Sequence, residues 1–469
     1  MGNNKEKPDL TLSSEEFYKL YGRKKTVGMF TLGCKVNQYE SESIARLFES
    51  WGYEVVPFEH KADVYVINTC TVTGLSARKS RQMIRRARAM NSDAVVAAIG
   101  CYSQTAPDEV AQIPGVDIII GTKDRANIVK YVEQFSQKRE KLKLVDNIMD
   151  AREFEELGVD TYKARTRAFL KIQEGCSQFC TYCIIPYARG PVRSRNPERI
   201  IEEVKKLSDN GFMEVVLTGI HLESYGKDFK NYGEDLHGFK HHPPLLDIIY
   251  RINEIEGIRR IRLGSLEPNT ITPDFAQAAA KLPKLCPHYH ISLQSGCDET
   301  LKRMNRKYTS HEYRNAVELL RANIPDVAIT TDIMVGFPGE TEEEFAKSYE
   351  FAKSIGFAAM HVFKYSPRKG TPAASFPNQT DPSVKEERSK KMIDLSAGMS
   401  LNFNTSFIGR LMDVLFEQEC ETNKEMMEGL TANYIRVLCP KTPSQKFEGD
   451  IKRVKIMKAD KEYVTGEIC

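Results

Sequence analysis

Three cysteines lie within eight residues of one another near the middle of the sequence, at Cys176, Cys180 and Cys183. Thiols at this spacing are typical of a metal site, and a disulfide framework is disfavoured in a chain without an evident export signal. A structural zinc site needs four protein ligands, and neither Cys nor His follows closely after Cys183. We therefore expect a 4Fe-4S cluster with one iron free of protein ligands, and a zinc knuckle is the alternative.

The pattern Cys-x-x-x-Cys-x-x-Cys resembles the signature of the radical S-adenosylmethionine enzymes. The resemblance implies that the amino and carboxylate groups of S-adenosylmethionine bind the open iron. An electron from the cluster would then cleave a carbon-sulfur bond and release a 5'-deoxyadenosyl radical, so that the cofactor carries the difficult chemistry. The resemblance also implies that the ring of Tyr182 packs against the adenine.

A second set of cysteines is spread over the first part of the chain, at Cys34, Cys70 and Cys101. Each lies at or just beyond the end of an apolar run, and helical segments separate these runs, which indicates βαβ units and a parallel sheet. Because the carboxyl ends of parallel strands meet at one edge, we expect the three thiols to converge there. They would bind a second cluster with one open iron, unless each is an ordinary buried cysteine.

Two cysteine sets in this order resemble the methylthiotransferase family over nearly the whole chain. Residues 31–41 (Thr-Leu-Gly-Cys-Lys-Val-Asn-Gln-Tyr-Glu-Ser) and 217–222 (Leu-Thr-Gly-Ile-His-Leu) resemble its MtaB branch. The MiaB branch usually has Met-Asn in the first motif and Gly-Gln-Asn in the second. The resemblance implies two 4Fe-4S clusters, S-adenosylmethionine, and methylthiolation at C2 of N6-threonylcarbamoyladenosine beside the anticodon of tRNA.

Two other functions stay open at this point. A methylthiotransferase that modifies an aspartate of a ribosomal protein would share both cysteine sets and would not require tRNA. A non-catalytic iron-sulfur protein that binds RNA or senses redox state would carry the clusters without cleaving the cofactor.

The overall composition limits the classes of function. The 469 residues suggest two or three domains, and the formal net charge of +3 means that any contact with nucleic acid must be local. No run of about 18 apolar residues predicts a membrane span, and the first residues do not resemble an export signal. Eleven cysteines in such a chain indicate reduced thiols, so we expect a cytoplasmic protein that does not bind membranes.

We predict an α/β fold in three domains. Residues 1–24 form an extension, 25–137 a parallel α/β domain, 138–161 a linker, 162–398 the radical S-adenosylmethionine core and 401–469 a small β-barrel. The core pattern contains six β/α units, which are too few for a closed eight-stranded barrel, and the resemblance implies an open partial (β/α)6 barrel. The resemblance also names the last domain as a nucleic-acid-binding TRAM domain, for which a structural lid is the alternative.

Polar residues and one glycine lie at the ends of the predicted core strands, where a cofactor would bind. The resemblance implies six contacts with S-adenosylmethionine, at Tyr182, Gly219, Ser265, Glu267, Gln294 and Asp332. Gly219 would allow the backbone to approach the methionine amino group closely. Turn formation or helix capping is the alternative role for the residues that follow the strands.

Basic residues cluster near both cysteine sets. We expect some of them to contact phosphates of a tRNA anticodon stem-loop. The candidates are Arg78, Lys79, Arg81, Arg189, Arg193 and Arg195. For the residues on the predicted helix, a solvated face is the alternative. An electron donor such as a flavodoxin or ferredoxin, and a sulfur donor, would complete the expected partners.

Overall fold

Strands and helices alternate along most of the chain, as the spacing of its apolar runs predicts. The structure is a computed structural model that describes residues 8–157, 166–229, 244–441 and 448–469. Within these ranges, none of the helices is long and apolar enough to cross a membrane. The described residues form two α/β units and a closed β-barrel, so the predicted fold class is confirmed.

A six-stranded parallel sheet organises the first unit. Its strands are β1 (Thr26–Thr31), β2 (Glu54–Val56), β3 (Val64–Thr69), β4 (Val95–Gly100), β5 (Ile118–Ile120) and β6 (Leu142–Leu144). Their order in space is β2-β1-β3-β4-β5-β6. Strands β3 and β4 are buried along their whole length, because apolar clusters cover both faces of the sheet.

Six helices belong to this unit. They are α1 (Ser14–Tyr21), α2 (Lys35–Ser50), α3 (Gly74–Met90), α4 (Cys101–Thr105), α5 (Pro107–Ala111) and α6 (Ile128–Lys138). Helix α1 begins with a capping box in which Ser13 and Glu16 satisfy each other's backbone N–H groups. Helix α4 starts directly after β4, and only three residues separate α2 from β1, so the chain between sheet and helix is short where Cys34 and Cys101 lie.

Strand β6 lies inside residues 138–161, which the sequence pattern assigns to a linker. It pairs in parallel with β5, and Leu142 and Leu144 pack against the apolar cluster under the sheet. Apolar side chains at alternate positions therefore bring this segment into the first unit. The first α/β domain therefore extends at least to Leu144, beyond the predicted limit of 137 and into the predicted linker 138–161. The limits 1–24, 162–398 and 401–469 remain our proposal for the rest of the chain, and residues 1–7 and 158–165 lie outside the described ranges.

The second unit is an open, curved set of parallel strands. It contains β7 (Arg167–Glu174), β8 (Arg193–Ser194), β9 (Glu214–Gly219), β10 (Arg260–Leu263), β11 (His288–His290), β12 (Ala328–Val335) and β13 (Ala359–Lys364). The strands form two ladders, β10-β9-β7-β8 and β11-β12-β13, which single bridges such as Ile261 to Leu285 connect. Only β8 runs antiparallel to its neighbour among these described strands.

Helices separate the strands of the second unit. They are α7 (Ile185–Arg189), α8 (Pro197–Asp209), α9 (Pro244–Asn253), α10 (Pro273–Ala280), α11 (Asp298–Arg303), α12 (Ser310–Asn323) and α13 (Glu342–Ile355). Helix α13 begins with the predicted capping box of Thr341 and Glu344. For the fourth core strand the apolar pattern of the sequence predicts residues 290–293, whereas the strand lies at 288–290. Gln294 has a φ of 65°, so the chain leaves the extended conformation here and only isolated bridges continue the ladder.

A long helix precedes the β-barrel in the last part of the chain. Helix α14 (Pro382–Thr405) precedes β14 (Leu411–Glu419), β15 (Met426–Thr431), β16 (Arg436–Pro440), β17 (Ile451–Ala459) and β18 (Val464–Ile468). The barrel closes in the order β14-β15-β16-β18-β17. For the fourth barrel strand the sequence pattern predicts a start at residue 447, which lies outside the described ranges, and β17 begins at Ile451.

The barrel docks where the core strands begin. Arg260 donates to the carbonyls of Leu430 and Asp413, at 2.9 Å and 2.7 Å. The ring of Tyr434 stacks on His288 with ring centroids 4.5 Å apart. The opposite ends of the core strands therefore stay free of the barrel, and Cys176 follows the end of β7.

Candidate functional site

The loop that carries Cys176, Cys180 and Cys183 is clamped at its start by a glycine. Gly175 has a φ of 75°, and a Cβ on it would lie 1.8 Å from the carbonyl oxygen of Pro191. Only glycine fits this turn. The N–H of Cys176 donates to the carbonyl of Gly190 at 3.0 Å, and the N–H of Cys183 donates to that of Cys180 at 3.0 Å. The turn and these hydrogen bonds fold three sequence-local cysteines onto one point.

The three thiols of this loop affect one another. Burial, reinforced by the neighbouring thiolates, raises the pKa of Cys183 to about 12. Burial also raises the pKa of Cys176 to about 11, with a further contribution from Cys180. Free thiols in this environment stay protonated at neutral pH, which is unsuitable for a nucleophile. Coordination to a metal stabilises thiolates directly, so the donor set fits a cluster.

Two charged side chains border this loop. Arg306 donates from Nη1 to Sγ of Cys180 at 3.4 Å, and its Nη2 lies 2.8 Å from Oε1 of Glu267. Nε2 of His221 lies 3.4 Å from the same oxygen. Burial opposes ionisation of Glu267, but His221 and Arg306 together hold its pKa below the usual value. The structure thus brings the predicted Glu267 to the edge of the cysteine loop.

The other predicted cofactor residues lie around the same strand ends. Tyr182 packs its ring edge-on against Phe337, with centroids 6.4 Å apart, and Gly219 packs against Gln173 so closely that a Cβ would lie 2.8 Å from its Oε1. The N–H of Gln294 donates to the carbonyl of Asp332 at 2.8 Å, which places these two together. Ser265 is exposed. Contacts of all six with the cofactor remain predictions.

The second cysteine set lies at the carboxyl edge of the first sheet. Cys34, Cys70 and Cys101 follow β1, β3 and β4, which are neighbours in the sheet. Burial raises the pKa of Cys101 to about 12, and the nearby thiolates of Cys70 and Cys34 add to the effect. A Cβ on Gly33 would lie 3.1 Å from Sγ of Cys70, which shows how closely the first two segments approach. The predicted convergence of these cysteines is therefore found.

Local backbone geometry supports this second set. Gly100 has a φ of 92°, and a Cβ on it would lie 2.5 Å from Oδ1 of Asn68. Glycine is therefore required directly before Cys101. Cys34 is the residue before the first turn of the 16-residue helix α2. The positive end of that helix dipole favours a negatively charged group at this position.

Three of the predicted RNA contacts are corrected by the structure. Arg189, Arg193 and Arg195 are buried, and their guanidinium groups do not point to solvent. Arg189 pairs with Glu40 and Glu174, whereas Arg195 pairs with Glu203 and Glu156. Arg193 donates to the carbonyls of Arg189 and Pro191 at 3.0 Å each. Buried carboxylates for Arg189 and Arg195, and backbone carbonyls for Arg193, account for the difference, and a local charge pattern does not reveal them.

The three remaining RNA candidates lie on helix α3. Arg78 and Lys79 are exposed, whereas Arg81 is half-buried and donates to the hydroxyl of Tyr102 at 3.0 Å. Their contact with RNA remains a prediction.

A cavity of about 1040 Å³ opens between the two cysteine sets. Its lining contains the residues that directly follow three of the cysteines, Thr71, Tyr102 and Ile184. Arg81 and Arg368 also line it, and Arg368 donates from Nη2 to Oγ1 of Thr71 at 2.8 Å. Asp108, Glu109 and Asp146 line the cavity as well, so its wall beside the two sets carries both signs of charge.

Family models match the two α/β units separately. Residues 170–352 match the radical SAM superfamily, and residues 26–121 match the uncharacterized protein family UPF0004. The threonylcarbamoyladenosine tRNA methylthiotransferase MtaB of Bacillus subtilis (strain 168) is 45% identical over 444 residues, which are 94% of this chain and 96% of that protein. The chain belongs to the radical S-adenosylmethionine methylthiotransferase family.

Two further relatives match this methylthiotransferase over nearly the full length of both chains. The MtaB protein of Aquifex aeolicus (strain VF5) is 39% identical over 430 residues, 92% of this chain and 100% of that protein. The tRNA-2-methylthio-N(6)-dimethylallyladenosine synthase of Moorella thermoacetica is 34% identical over 452 residues, 95% of this chain and 98% of that protein. Among solved structures, the radical S-adenosylmethionine methyltransferase TsrM of Kitasatospora setae shares the fold. Its TM-score is 0.53 at 16% identity, with 75% of this chain and 77% of TsrM covered.

Membership of this family makes the protein an enzyme and gives its cofactors. The methylthiotransferase takes two 4Fe-4S clusters and S-adenosylmethionine. The two sets of three buried or clustered thiols fit this requirement in number and in chemistry.

Several residues near the sites were not assigned from the sequence. Asn37 and Glu40 lie in the motif of residues 31–41, and their polar side chains on an otherwise buried helix face were an available signal. Arg125 shows no local pattern, because its acidic partners are distant in sequence. Arg306 was noted only as part of a basic segment, and its contact with Cys180 depends on the fold of residues 298–308 over the cysteine loop.

Proposed function

We propose that this enzyme methylthiolates C2 of N6-threonylcarbamoyladenosine next to the anticodon of tRNA, with S-adenosylmethionine as co-substrate. The observation that carries the proposal is the cavity lined by the residues next to Cys70, Cys101 and Cys183, because a substrate base in it would lie beside both cysteine sets. The two relatives with the higher identities are named for this same modified nucleoside. An anticodon-loop base is already unpaired, so its entry costs less than extrusion from a duplex.

We assign one cluster to each cysteine set. Cys34, Cys70 and Cys101 would hold the first, and Cys176, Cys180 and Cys183 the second. When bound, the clusters supply the electron for cleavage of S-adenosylmethionine and the site of sulfur transfer. Around the second site, Glu267 and the residues Tyr182, Gly219, Ser265, Gln294 and Asp332 would hold and orient the cofactor. Tyr182 and Phe337 would exclude water from one side of it.

Part of the cavity wall suits an anionic group, although Asp108, Glu109 and Asp146 also line the cavity. Arg81, Arg368 and Lys369 line it, and exposed Arg78 and Lys79 continue the positive charge along helix α3. We propose that Arg368 binds an anionic group of the RNA substrate inside the cavity. The exposed residues of α3 would contact backbone phosphates outside it, which positions RNA without reading its sequence.

The remaining partners follow from the reaction. Reductive cleavage of S-adenosylmethionine needs an electron, and we propose a flavodoxin or ferredoxin as the donor. A separate sulfur donor would restore the sulfur that each turnover removes. Such partners and the tRNA substrate favour a cytoplasmic location.

Nucleoside mass spectrometry of total tRNA tests the proposal. A strain that lacks this gene is complemented with a gene for the wild-type chain, for Cys176→Ala or for Cys469→Ala. We expect the methylthio form of N6-threonylcarbamoyladenosine to be absent without the gene. Wild type and the Cys469→Ala control, which changes an exposed cysteine outside both sets, should restore it, whereas Cys176→Ala should not. An unchanged nucleoside profile would exclude this substrate and favour a ribosomal protein, and a change confined to isopentenyladenosine would reassign the branch.

A further inference from the structure

An arginine of the second unit donates a hydrogen bond to a cysteine of the first. Arg189 lies at the end of helix α7, six residues after Cys183, and its Nε lies 3.2 Å from Sγ of Cys101. The same guanidinium donates from Nη2 to Oδ1 of Asn37 at 2.6 Å. A single side chain therefore crosses from the loop of one cysteine set to the ligand group of the other.

The guanidinium is held at this position by two buried carboxylates. Nη1 of Arg189 lies 2.6 Å from Oε1 of Glu40 and 3.0 Å from Oε1 of Glu174. Glu40 belongs to helix α2, which begins after Cys34, whereas Glu174 ends β7 two residues before Cys176. All three side chains are buried. Arg189 is thus fixed between elements that carry cysteines of both sets.

Two further cations complete the cluster of charges. Arg125 reaches Oε1 of Glu40 at 2.6 Å, and Lys171 lies 3.2 Å from Glu40 and 2.8 Å from Glu174. Although burial opposes ionisation, Arg125, Arg189 and Lys171 lower the pKa of Glu40 to about 2. The carboxylates therefore stay charged, and movement of Arg189 away from them would leave buried charge uncompensated.

Asn37 fixes the direction of the hydrogen bond. Its Nδ2 donates to the carbonyls of Leu32 and Thr69, at 2.7 Å and 3.2 Å, which are at the ends of β1 and β3. Its Oδ1 consequently faces Arg189 and accepts from Nη2. With Nη1 and Nη2 both engaged, Nε is the group that remains directed at Cys101.

We propose that Arg189 is a positioning residue that sets the reduction potential of the cluster held by Cys34, Cys70 and Cys101. The inference rests on the cluster assignment in the proposed function. Hydrogen bonds and positive charge at cluster sulfurs stabilise the reduced, more negative state, and so raise the potential. The radical S-adenosylmethionine core thereby completes the site of the other unit.

Potentiometric titration followed by electron paramagnetic resonance tests this proposal. The measurement uses full-length reconstituted enzyme, both intact and with Cys176, Cys180 and Cys183 replaced by alanine, so that the first cluster is observed alone. We expect Arg189→Gln to shift the potential of the first cluster to more negative values and to leave the second unchanged. Arg189→Lys keeps a positive charge between Glu40 and Glu174 but removes the Nε–H donor. This variant should also shift the potential of the first cluster to more negative values.

Arg195→Gln is the matched control, because Arg195 is equally buried and ion-paired but pairs with Glu203 and Glu156 and not with a cysteine. The reduction potential of the first cluster in Arg195→Gln should equal that in the wild-type enzyme. If Arg189→Gln fails to fold, as circular dichroism would show, the result for Arg189→Lys decides. A wild-type potential in Arg189→Lys, or the same shift in Arg195→Gln, would overturn the proposal. Full iron retention in Cys101→Ala would instead point to failure of the cluster assignment itself.

Discussion

The two cysteine sets are constructed in opposite ways. Cys176, Cys180 and Cys183 lie on one loop, and a glycine turn with a few backbone hydrogen bonds brings them together. The other three come from separate strand ends, and only the parallel order of β1, β3 and β4 makes them neighbours. The first kind of site depends on a short stretch of backbone, whereas the second depends on the integrity of a whole sheet.

The two sets share one feature, which is an arginine that donates to one of their sulfurs. Arg306 donates to Cys180 from the same unit, whereas Arg189 donates to Cys101 from the other unit. The dispersed site is therefore completed only when the two units are docked. Contact between the two units therefore forms part of the site of Cys34, Cys70 and Cys101, whereas the site of Cys176, Cys180 and Cys183 receives its arginine from its own unit.

Removal of each cysteine set has the largest expected effect and separates their roles. Alanine at 176, 180 and 183 should abolish both methylthiolation and formation of 5'-deoxyadenosine from S-adenosylmethionine. Alanine at 34, 70 and 101 should abolish methylthiolation but leave cofactor cleavage, because the radical site stays intact. Each triple variant should lose about four iron atoms. Chromatographic assay of both products and iron analysis check this, and loss of cofactor cleavage in both variants would contradict independent roles.

Substitution at Gly175 should selectively break the compact site. An added Cβ meets the carbonyl oxygen of Pro191 at 1.8 Å and requires a left-handed backbone, for a cost of about 3 kcal/mol or more. We expect Gly175→Ala to lower the iron content of the second site and the melting temperature. Gly398→Ala is the control, because Gly398 lies in helix α14 and a Cβ added there would meet no neighbouring atom within 4 Å. This substitution should stabilise the folded protein by about 0.5–1 kcal/mol. Equal iron content and stability in both variants would refute the steric argument.

Loss of a buried carboxylate should weaken the docking on which the dispersed site depends. Glu40→Gln leaves Arg125, Arg189 and Lys171 with one carboxylate fewer, and breaking such a buried pair costs about 3–5 kcal/mol. Glu386→Gln is the control, because its pair with Lys364 is exposed and contributes at most about 1 kcal/mol. Differential scanning calorimetry of the two variants should show a lower melting temperature only for Glu40→Gln. Similar melting temperatures would mean that the network contributes nothing to docking.

The smallest expected effect concerns the cavity between the sites. Arg368→Gln removes a cation that lines it while leaving both cysteine sets unchanged, so we expect KM for tRNA to rise about tenfold with a smaller change in kcat. Arg410→Gln, at an exposed pair with Asp326, is the control and should keep the wild-type KM. Steady-state kinetics with purified tRNA measures both variants. An unaltered KM in Arg368→Gln would remove this residue from the binding surface.

Much of the fold was readable from the sequence, because apolar runs of strand length alternate with helical periods. The strands that the sequence predicts lie within a few residues of their positions in the structure, whereas the short strands β2 and β8 were not predicted. The fourth core strand ends earlier than predicted, before the left-handed conformation of Gln294, which a propensity pattern does not reveal. Strand β6 lies in the segment assigned to a linker, since three residues carry little periodic signal.

The candidate sites were readable to different degrees. Local spacing identified Cys176, Cys180 and Cys183, and topology identified the other set. The same reasoning failed for Arg189, because the charge pattern of its own segment resembles an RNA contact. Its partners Glu40 and Glu174 lie 149 and 15 residues away, so only the docked structure shows that it is buried. Residues that join two units are the hardest to assign from sequence.

The most direct test of the proposed substrate is a reaction with defined tRNAs. Reconstituted enzyme, S-adenosylmethionine, a sulfide source and a chemical reductant are incubated with one tRNA that carries N6-threonylcarbamoyladenosine and with another that carries isopentenyladenosine. Mass spectrometry of the digested tRNA should show the methylthio product only from the threonylcarbamoyl substrate, together with 5'-deoxyadenosine. A methylthio product from isopentenyladenosine, or cofactor cleavage without modification of either tRNA, would contradict the proposed function.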